Sequence, residues 1–274
     1  MSLKDLLVIV DNDPACAERL DVTRRLAEAH GAHVTGLHVM HYPVALYTEI
    51  PVPEAVEKMQ RAEIEQIAMR AGTLFQERMR GATARHEWRV LEGPLGIVAT
   101  EQARYADLTV LPQGLDLGMA PGGLGSLPAD MALAAGRPVL VVPRYGKFPT
   151  VGTNVLVAWN GSREATRAVH DALPLLRIAE KVTVVSFDPE HPESSVPGGG
   201  IARHLTRHGV TVTATSLPGA NIAVGDLLLS YAADHGVDLI VMGAYGHTRL
   251  RELVLGGATR ALLQHMTVPV FMSH

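Results

Sequence analysis

Three glycines near the far end of the chain could form a cradle for a phosphate or a loop that needs flexible backbone. In MGAYGHTRLRELVLGGATR (242–260), two residues separate Gly243 from Gly246, nine separate Gly246 from Gly256, and Gly257, Ala258 and Thr259 follow. Residues without a Cβ let main-chain N–H groups approach an anion closely. Gly256 and Gly257 open a helix-like stretch, ATRALLQHM, whose first N–H groups and positive dipole end favour negative charge. Thr259, one turn in, brings a hydroxyl that donates to a phosphate oxygen. Spacing alone describes a flexible loop and turn equally well. Between the glycines, RLRELVL has amphipathic spacing, with Arg249 and Arg251 left to solvent.

Such a loop needs elements to aim it, and the chain repeats those elements. DLLVIVDND (5–13) and TNVLVAWNGS (153–162) are both apolar runs that end in a polar turn, so Asp11 corresponds to Asn160. ADLTVLPQG (106–114) matches VDLIVMGAYG (237–246), and GRPVLVVP (136–143) matches TVPVFMSH (267–274). The first copy is longer, and its surplus fits the Pro-punctuated stretch YPVALYTEIPVPEAVEKMQRAE. In the second copy VLVAW, VTVVSF, VTVTATS, DLIVM and VPVFM are short, β-branched and nearly continuous in apolar residues, as strands buried on both faces are. Helices are expected to start near Ser162, Ile201, Ile222 and Gly257, and the connections are long enough for right-handed crossovers. The expected fold is α/β: two tandem doubly wound domains, each a five-stranded parallel sheet, at 1–144 and 153–274. RYGKFPTVG (144–152) is the Pro/Gly linker. A single continuous ten-strand sheet ranks lower, because each half closes its own alternation. In open parallel sheets ligands bind beyond the carboxyl ends of the strands where the order reverses, here between the first and fourth strands.

Composition narrows the function classes. With 47% hydrophobic and 19% charged residues the chain is an ordinary globular one, and with 4% aromatics its core is aliphatic. A net charge of -4 argues against nucleic acid, which needs clustered Lys and Arg. No apolar run reaches the roughly 20 residues of a membrane span. MSLKDLLVIVDND runs straight into a strand, so a cytoplasmic location is expected. A lone cysteine, Cys16, follows Asp13-Pro14 at a helix start, and packing rather than reactivity is the expectation for it.

Other chemistries lack their residues. Asp11, Asn12 and Asp13 suggest a phospho-receiver, but the third strand ends in RVLEGP and the fifth in VVPRYG, without the required Asp and Lys. Asp13 is instead expected to cap the first helix. His38 and His41 end the second strand, and His204 and His208 have helical spacing. With no cysteine or H-E-x-x-H partner they are expected as surface histidines, with no metal site. No G-x-S-x-G elbow is present, and Asn160-Gly161-Ser162 is expected as a turn and helix cap. With no general base beside the glycine loop, no catalytic residue is assigned and the chain is not expected to be an enzyme.

MGAYGHTRLRELVLGGATRALLQHMTVPVFM resembles the C-terminal signature of the universal stress protein family, and VLVAWNGS its opening strand. The resemblance covers nearly the whole chain as a tandem member. It implies a five-stranded parallel sheet per half and, in one subclass, ATP between the first and fourth strand ends. Carried over by position, Asn160 stands near the ribose, and Phe187 where a backbone contact reaches the adenine. Met242, Gly243, Gly246, Gly256, Gly257, Ala258 and Thr259 line the phosphate path. Gly257 replaces the usual Ser or Thr, and Asn160 replaces Asp, each lost hydrogen bond being worth about 0.5–1.5 kcal/mol. In the first half Gly125-Ser126 and Asp11 restore those groups, but Pro112, Leu115 and Pro128 replace Gly243, Gly246 and Thr259. The expected function is a cytoplasmic stress-response protein whose C-terminal half binds ATP or another adenine nucleotide, with Mg²⁺ accompanying it, and little turnover. Two readings stay open: a small-ligand or scaffold protein of the same fold, and a slow ATPase or phosphotransferase. The resemblance also implies that the last strands pair across a two-fold, here within one chain, with homodimers of whole chains as a further expectation.

Overall fold

The computed structural model describes residues 2–41, 53–114, 126–186, 198–217, 224–245 and 257–274. The first half alternates β1 (Asp5–Ile9), α1 (Cys16–His30), β2 (His33–Met40), α2 (Glu54–Met79), β3 (His86–Glu92), α3 (Leu95–Ala103), β4 (Leu108–Pro112), α4 (Leu127–Ala134) and β5 (Val139–Val142). The second runs β6 (Asn154–Trp159), α5 (Arg163–Asp171), α6 (Leu173–Leu176), β7 (Lys181–Ser186), α7 (Gly199–Arg207), β8 (Val212–Ser216), α8 (Val224–Asp234), β9 (Leu239–Gly243), α9 (Gly257–His265) and β10 (Val270–Ser273). Helix α6 is the one element the sequence reading lacks. Pro174 has no N–H to continue the ladder of α5, so the chain turns at Ala172 and restarts.

Each half is a parallel sheet with its first strand next to its fourth, but the halves are not separate sheets. The strand order is β3-β2-β1-β4-β5-β10-β9-β6-β7-β8. Every neighbouring pair is parallel except β5 and β10, which run antiparallel with Val139 opposite Met272, Leu140 opposite Phe271 and Val141 opposite Val270. The continuous ten-strand sheet, ranked lower from sequence, is the arrangement found. Closing each alternation leaves each last strand with an unpaired edge, and the two edges satisfy each other.

The inner strands bury both faces, while the outer strands β3 and β8 stay partly exposed. Leu6 and Val8 of β1 and Val155 and Val157 of β6 enter one core with α1, α2, α5 and α7, where Phe75, Leu20, Ala168 and Leu205 lie. Leu7, Ile9, Leu156 and Ile240 enter the other with α3, α4, α8 and α9. Period-two alternation between two apolar faces explains why these inner strands read as hydrophobic runs. Cys16 is buried in the first core, and burial pushes its thiol up to about 11, the reverse of an activated cysteine.

The repeat is tied down by aspartates just ahead of the fourth strand of each half. Asp107 accepts the N–H groups of Lys4 and Asp5 at 2.7 and 3.2 Å, and Asp238 those of Gly152, Thr153 and Asn154 at 3.0, 3.1 and 2.9 Å. Each fixes where the first strand begins beside the fourth. Asp13 does not cap α1 as expected. Its carboxylate accepts from Ala15 N at 2.9 Å in a turn before the helix, which starts at Cys16, and its other oxygen pairs with Arg144 at 2.9 Å.

The linker between the halves is held by Glu18 of α1. One carboxylate oxygen accepts from Phe148 N at 2.9 Å and lies 3.3 Å from Arg25, and the other is 3.0 Å from Lys147 Nζ. Burial pushes the Glu18 carboxyl up, but the Phe148 N–H, Lys147 and Arg25 outweigh it, leaving it below the ordinary value of 4.5. A depressed carboxyl contributes stability above its unfolded pKa, and that contribution fades as pH falls through the lower folded value. Glu18→Gln is therefore expected to lower unfolding free energy at pH 7 by about 2 kcal/mol. As pH falls below the ordinary carboxyl range the difference from wild type should shrink progressively, because the folded Glu18 carboxylate takes up its proton only at its lower value. Urea titrations at pH 7 and at pH 3.5 check this.

Candidate functional site

In the second half, β6 lies between β9 and β7, so the chain leaves β6 toward one side while β9 pairs on the other. This is the reversal point, and its carboxyl edge is framed by Asn160 after β6 and Gly243 at the end of β9.

Asn160, Gly161 and Ser162 form the expected turn and cap. Asn160 Oδ1 accepts from Ser162 N at 3.1 Å, Gly161 takes the left-handed conformation at φ 72°, and Ser162 Oγ accepts from Ala165 N at 3.1 Å. The exposed Asn160 thus uses its carbonyl locally and keeps its amide NH₂ for other partners. Gly243 has a packing reason that spacing did not reveal. A Cβ there would sit 2.5 Å from Ala165 N and from the Glu164 carbonyl carbon, so the first turn of α5 rests on bare backbone. Glu164, buried in that turn, is a neighbour of the crevice missing from the sequence reading. An acid in the first turn of a helix is the residue type the dipole favours, which hid its position beside Gly243.

On the other face Met242 is 6% exposed, with its side chain in the core of α8 and α9. Only its main chain borders the crevice. Ala244 N donates to Ser273 O at 2.8 Å, and His274 Nδ1 donates to Ala244 O at 2.8 Å. Tyr245 then turns left-handed at φ 59°, a conformation uncommon for a side-chain-bearing residue. Its N–H points at Thr259 Oγ1 at 3.4 Å, a long contact. Burial, with Asp130 second, pushes the Tyr245 phenol up to about 12. The two ends of the glycine loop, Tyr245 and Thr259, therefore meet. Gly246 and Gly256, and Phe187 after β7, lie outside the described residues. Gly257 and Ala258 open α9, and Thr259 is buried.

The first half has spent the same positions on itself. Asp11 Oδ1 accepts from Asp13 N at 3.1 Å, and Oδ2 lies 2.8 Å from Nη2 of Arg19, which is 1% exposed. Arg19 Nε donates to Ile9 O at 3.0 Å. The carboxylate that sequence comparison credited to this half is therefore committed to a buried guanidinium. Beyond β4, Gln113 donates to Leu263 O and Gln264 O at 2.9 and 3.2 Å, capping the last turn of α9, and accepts from Arg144 N at 3.0 Å. Pro112 is buried at the end of β4, and Pro128 starts α4, where a missing N–H costs nothing. Gly125 and Leu115 are outside the described residues.

Histidines differ from the expectation. His38 is buried, not solvated, with Nδ1 donating to Val10 O at 2.7 Å and the ring stacked near Trp88. His204 and His208 do share one helical face, and His170 of α5 joins them. Among the described residues no three His, Cys, Asp or Glu side chains are placed to hold a metal ion. Among those residues, too, no helix is long and apolar enough to cross a membrane.

A parallel α/β sheet with a reversal point between β6 and β9 places this chain among the doubly wound α/β proteins. The family model described as "Universal stress protein family" matches residues 2–143 and again 153–274. The chain belongs to the universal stress protein family, with two copies in tandem. It is 27% identical over 154 residues to universal stress protein Slr1230 of Synechocystis, covering 55% of this chain and 52% of that protein. Over 45 residues it is 38% identical to universal stress protein MJ0577 of Methanocaldococcus jannaschii, covering 16% of this chain and 28% of that one. The chain thus spans about half, or less, of the length of these relatives. A universal stress protein from Archaeoglobus fulgidus has the same fold over 98% of this chain and 95% of its own, with a TM-score of 0.75 at 14% identity.

Two outcomes follow from this packing. Asp11→Ala strips a buried arginine of its counter-charge and is expected to cost about 3 kcal/mol of stability by chemical denaturation. Gly243→Ala forces a methyl into the backbone of α5 and should cost at least about 2 kcal/mol. A valine there cannot serve as a binding-only control.

Proposed function

We propose that the C-terminal half of this tandem universal stress protein binds ATP or another adenine nucleotide in the β6–β9 crevice. We further propose that it does so in the cytoplasm, without significant turnover. The observation that carries the reading is the meeting of Tyr245 N and Thr259 Oγ1 at 3.4 Å. That contact brings the end of β9 against the first turn of α9, so the first N–H groups of α9 stand at one end of β9. The Thr259 hydroxyl oxygen accepts this long contact and its proton is donated to no other described residue, so it is available to a phosphate oxygen. Asn160 across the crevice offers its free NH₂ to a ribose hydroxyl. Mg²⁺ would accompany the phosphates as their counter-ion. The low-turnover reading rests on the committed state of the nearby polar groups: Ser162 caps α5, and Glu164 sits packed in its first turn, so neither is free to act as a general base.

Titration calorimetry with ATP and with AMP tests the reading. ATP is expected to bind, and Gly246→Val and Gly256→Val to weaken it at least tenfold while circular dichroism and unfolding midpoint stay near wild type. Silence with both nucleotides would end the proposal and leave the fold untouched. Phosphate release under the same conditions should match that of the Gly246→Val chain. Faster release by wild type would favour the slow-ATPase reading.

A further inference from the structure

Beside the β5–β10 junction the two halves enclose a cavity of about 600 Å³. The first half supplies Arg137 and Asp107, and the second supplies His170, Asp171, Arg177 and His208. None of the crevice residues Asn160, Gly243 or Thr259 lines it.

The charges in this cavity are unevenly engaged. Asp107 accepts the N–H groups of Lys4 and Asp5 on one oxygen, Oδ2. Asp171 Oδ2 accepts the Ser273 hydroxyl at 2.6 Å and lies 3.8 Å from Arg167 Nε. Arg177 is anchored, with Nε donating to His208 O at 2.9 Å and Nη2 3.4 Å from His208 Nδ1. That anchoring fixes the guanidinium while leaving donors on Nη1 and Nη2. The turn carrying Arg137 is fixed from the other half, where Arg167 Nη2 donates to Gly136 O at 3.1 Å. Arg137 itself has no hydrogen bond or ion pair to any described residue. Three imidazoles, His170, His204 and His208, stand with ring centroids 4.6–6.2 Å apart, and among the described residues no carboxylate pairs with them. Leu173, Pro174 and Pro138 supply apolar wall.

We propose that this junction cavity binds a small organic anion, its oxyanion head held by Arg137 and Arg177 and its apolar body lying on Leu173 and Pro174. Two arginines, one positioned and one unpartnered, match a carboxylate or phosphate by their planar fork of donors. The same pair disfavours a cation, so the histidines beside it are hydrogen-bond donors and walls for the anion. Because the lining comes from both halves, the occupant bridges them and stabilises the junction by linkage.

Calorimetry on the full chain at low ionic strength tests the proposal with phenyl phosphate, phenylacetate and benzylammonium. At least one anion is expected to bind with a Kd in the millimolar range or tighter, with benzylammonium silent. The better anion assigns the head group. Arg137→Gln should weaken that anion at least tenfold without moving the unfolding midpoint, since no described residue leans on Arg137. Amide exchange should slow on binding both at 136–138 and at 170–177. Silence with both anions, undiminished binding to Arg137→Gln, equal binding of benzylammonium, or protection confined to one half would each overturn it.

Discussion

Two parallel sheets that each finish on a short apolar strand expose an apolar edge there, and the pairing of β5 with β10 closes both, leaving β3 and β8 as the outer edges. The residues concerned, Val139 to Val142 and Val270 to Met272, are all within 2% of full burial. Exposed, they would be a flat hydrophobic edge of the kind that recruits other chains. Antiparallel pairing also sets where sites can lie. It points the carboxyl ends of the two halves' strands to opposite edges of the sheet, so the crevice at β9 lies alongside the beginning of β5, not beside the matching crevice of the other half. Contacts across the seam follow from that offset. Gln113 reaches the last turn of α9, and Arg167 reaches Gly136.

Within this frame the repeat has kept what the sheet needs and changed what a ligand meets. Asp107 and Asp238 do the same work in both halves, because any first strand beside a fourth needs its register fixed. The strand-end residues Asp11 and Asn160 have parted, and their neighbours changed with them. Asp11 faces the buried Arg19, whereas the position matching Arg19 in the second half is Ala168. A carboxylate at 160 would have no guanidinium to answer it. An amide at that place is uncharged and leaves donors facing out, so the substitution that looked like a loss in the sequence agrees with its surroundings. Charge was retained where it closes a crevice and dropped where the crevice stays open.

The sequence carried the strands well because burial on both faces leaves unbroken β-branched runs such as VLVAW and DLIVM, a signal that needs no tertiary knowledge. Helix starts were placed within a few residues where a cap marks them, as at Ser162, and helix breaks were missed where a proline interrupts a short apolar run, as at Leu173–Leu176. What could not be read was anything set by approach between distant elements. The need for glycine at 243 comes from the backbone of α5, some eighty residues earlier in the chain. The pairing of Asp11 with Arg19 depends on where α1 lands against β1, and the burial of His38 on Trp88 and the Val10 carbonyl. Glycine spacing assigned Gly243 to a ligand, whereas packing against α5 already requires it.

That last point changes what a glycine signature means in this fold. Gly243 is demanded twice over: by the first turn of α5, which rests on it, and by any anion that uses the main chain beyond it. The two demands are compatible because they fall on different sides of β9. Helix α5 covers the side of the strand that Gly243 faces, while Met242 and Thr259 belong to the face of α8 and α9, where the loop departs and returns. Packing one side tightly fixes the strand end from behind, and a rigid strand end is what lets a few amides hold a defined geometry in front. The tight contact is thus a support for the crevice and not a competitor for it. In the first half, with Pro112 at the end of β4 and Gln113 turned toward α9, the matching strand end is packed against the other half of the chain.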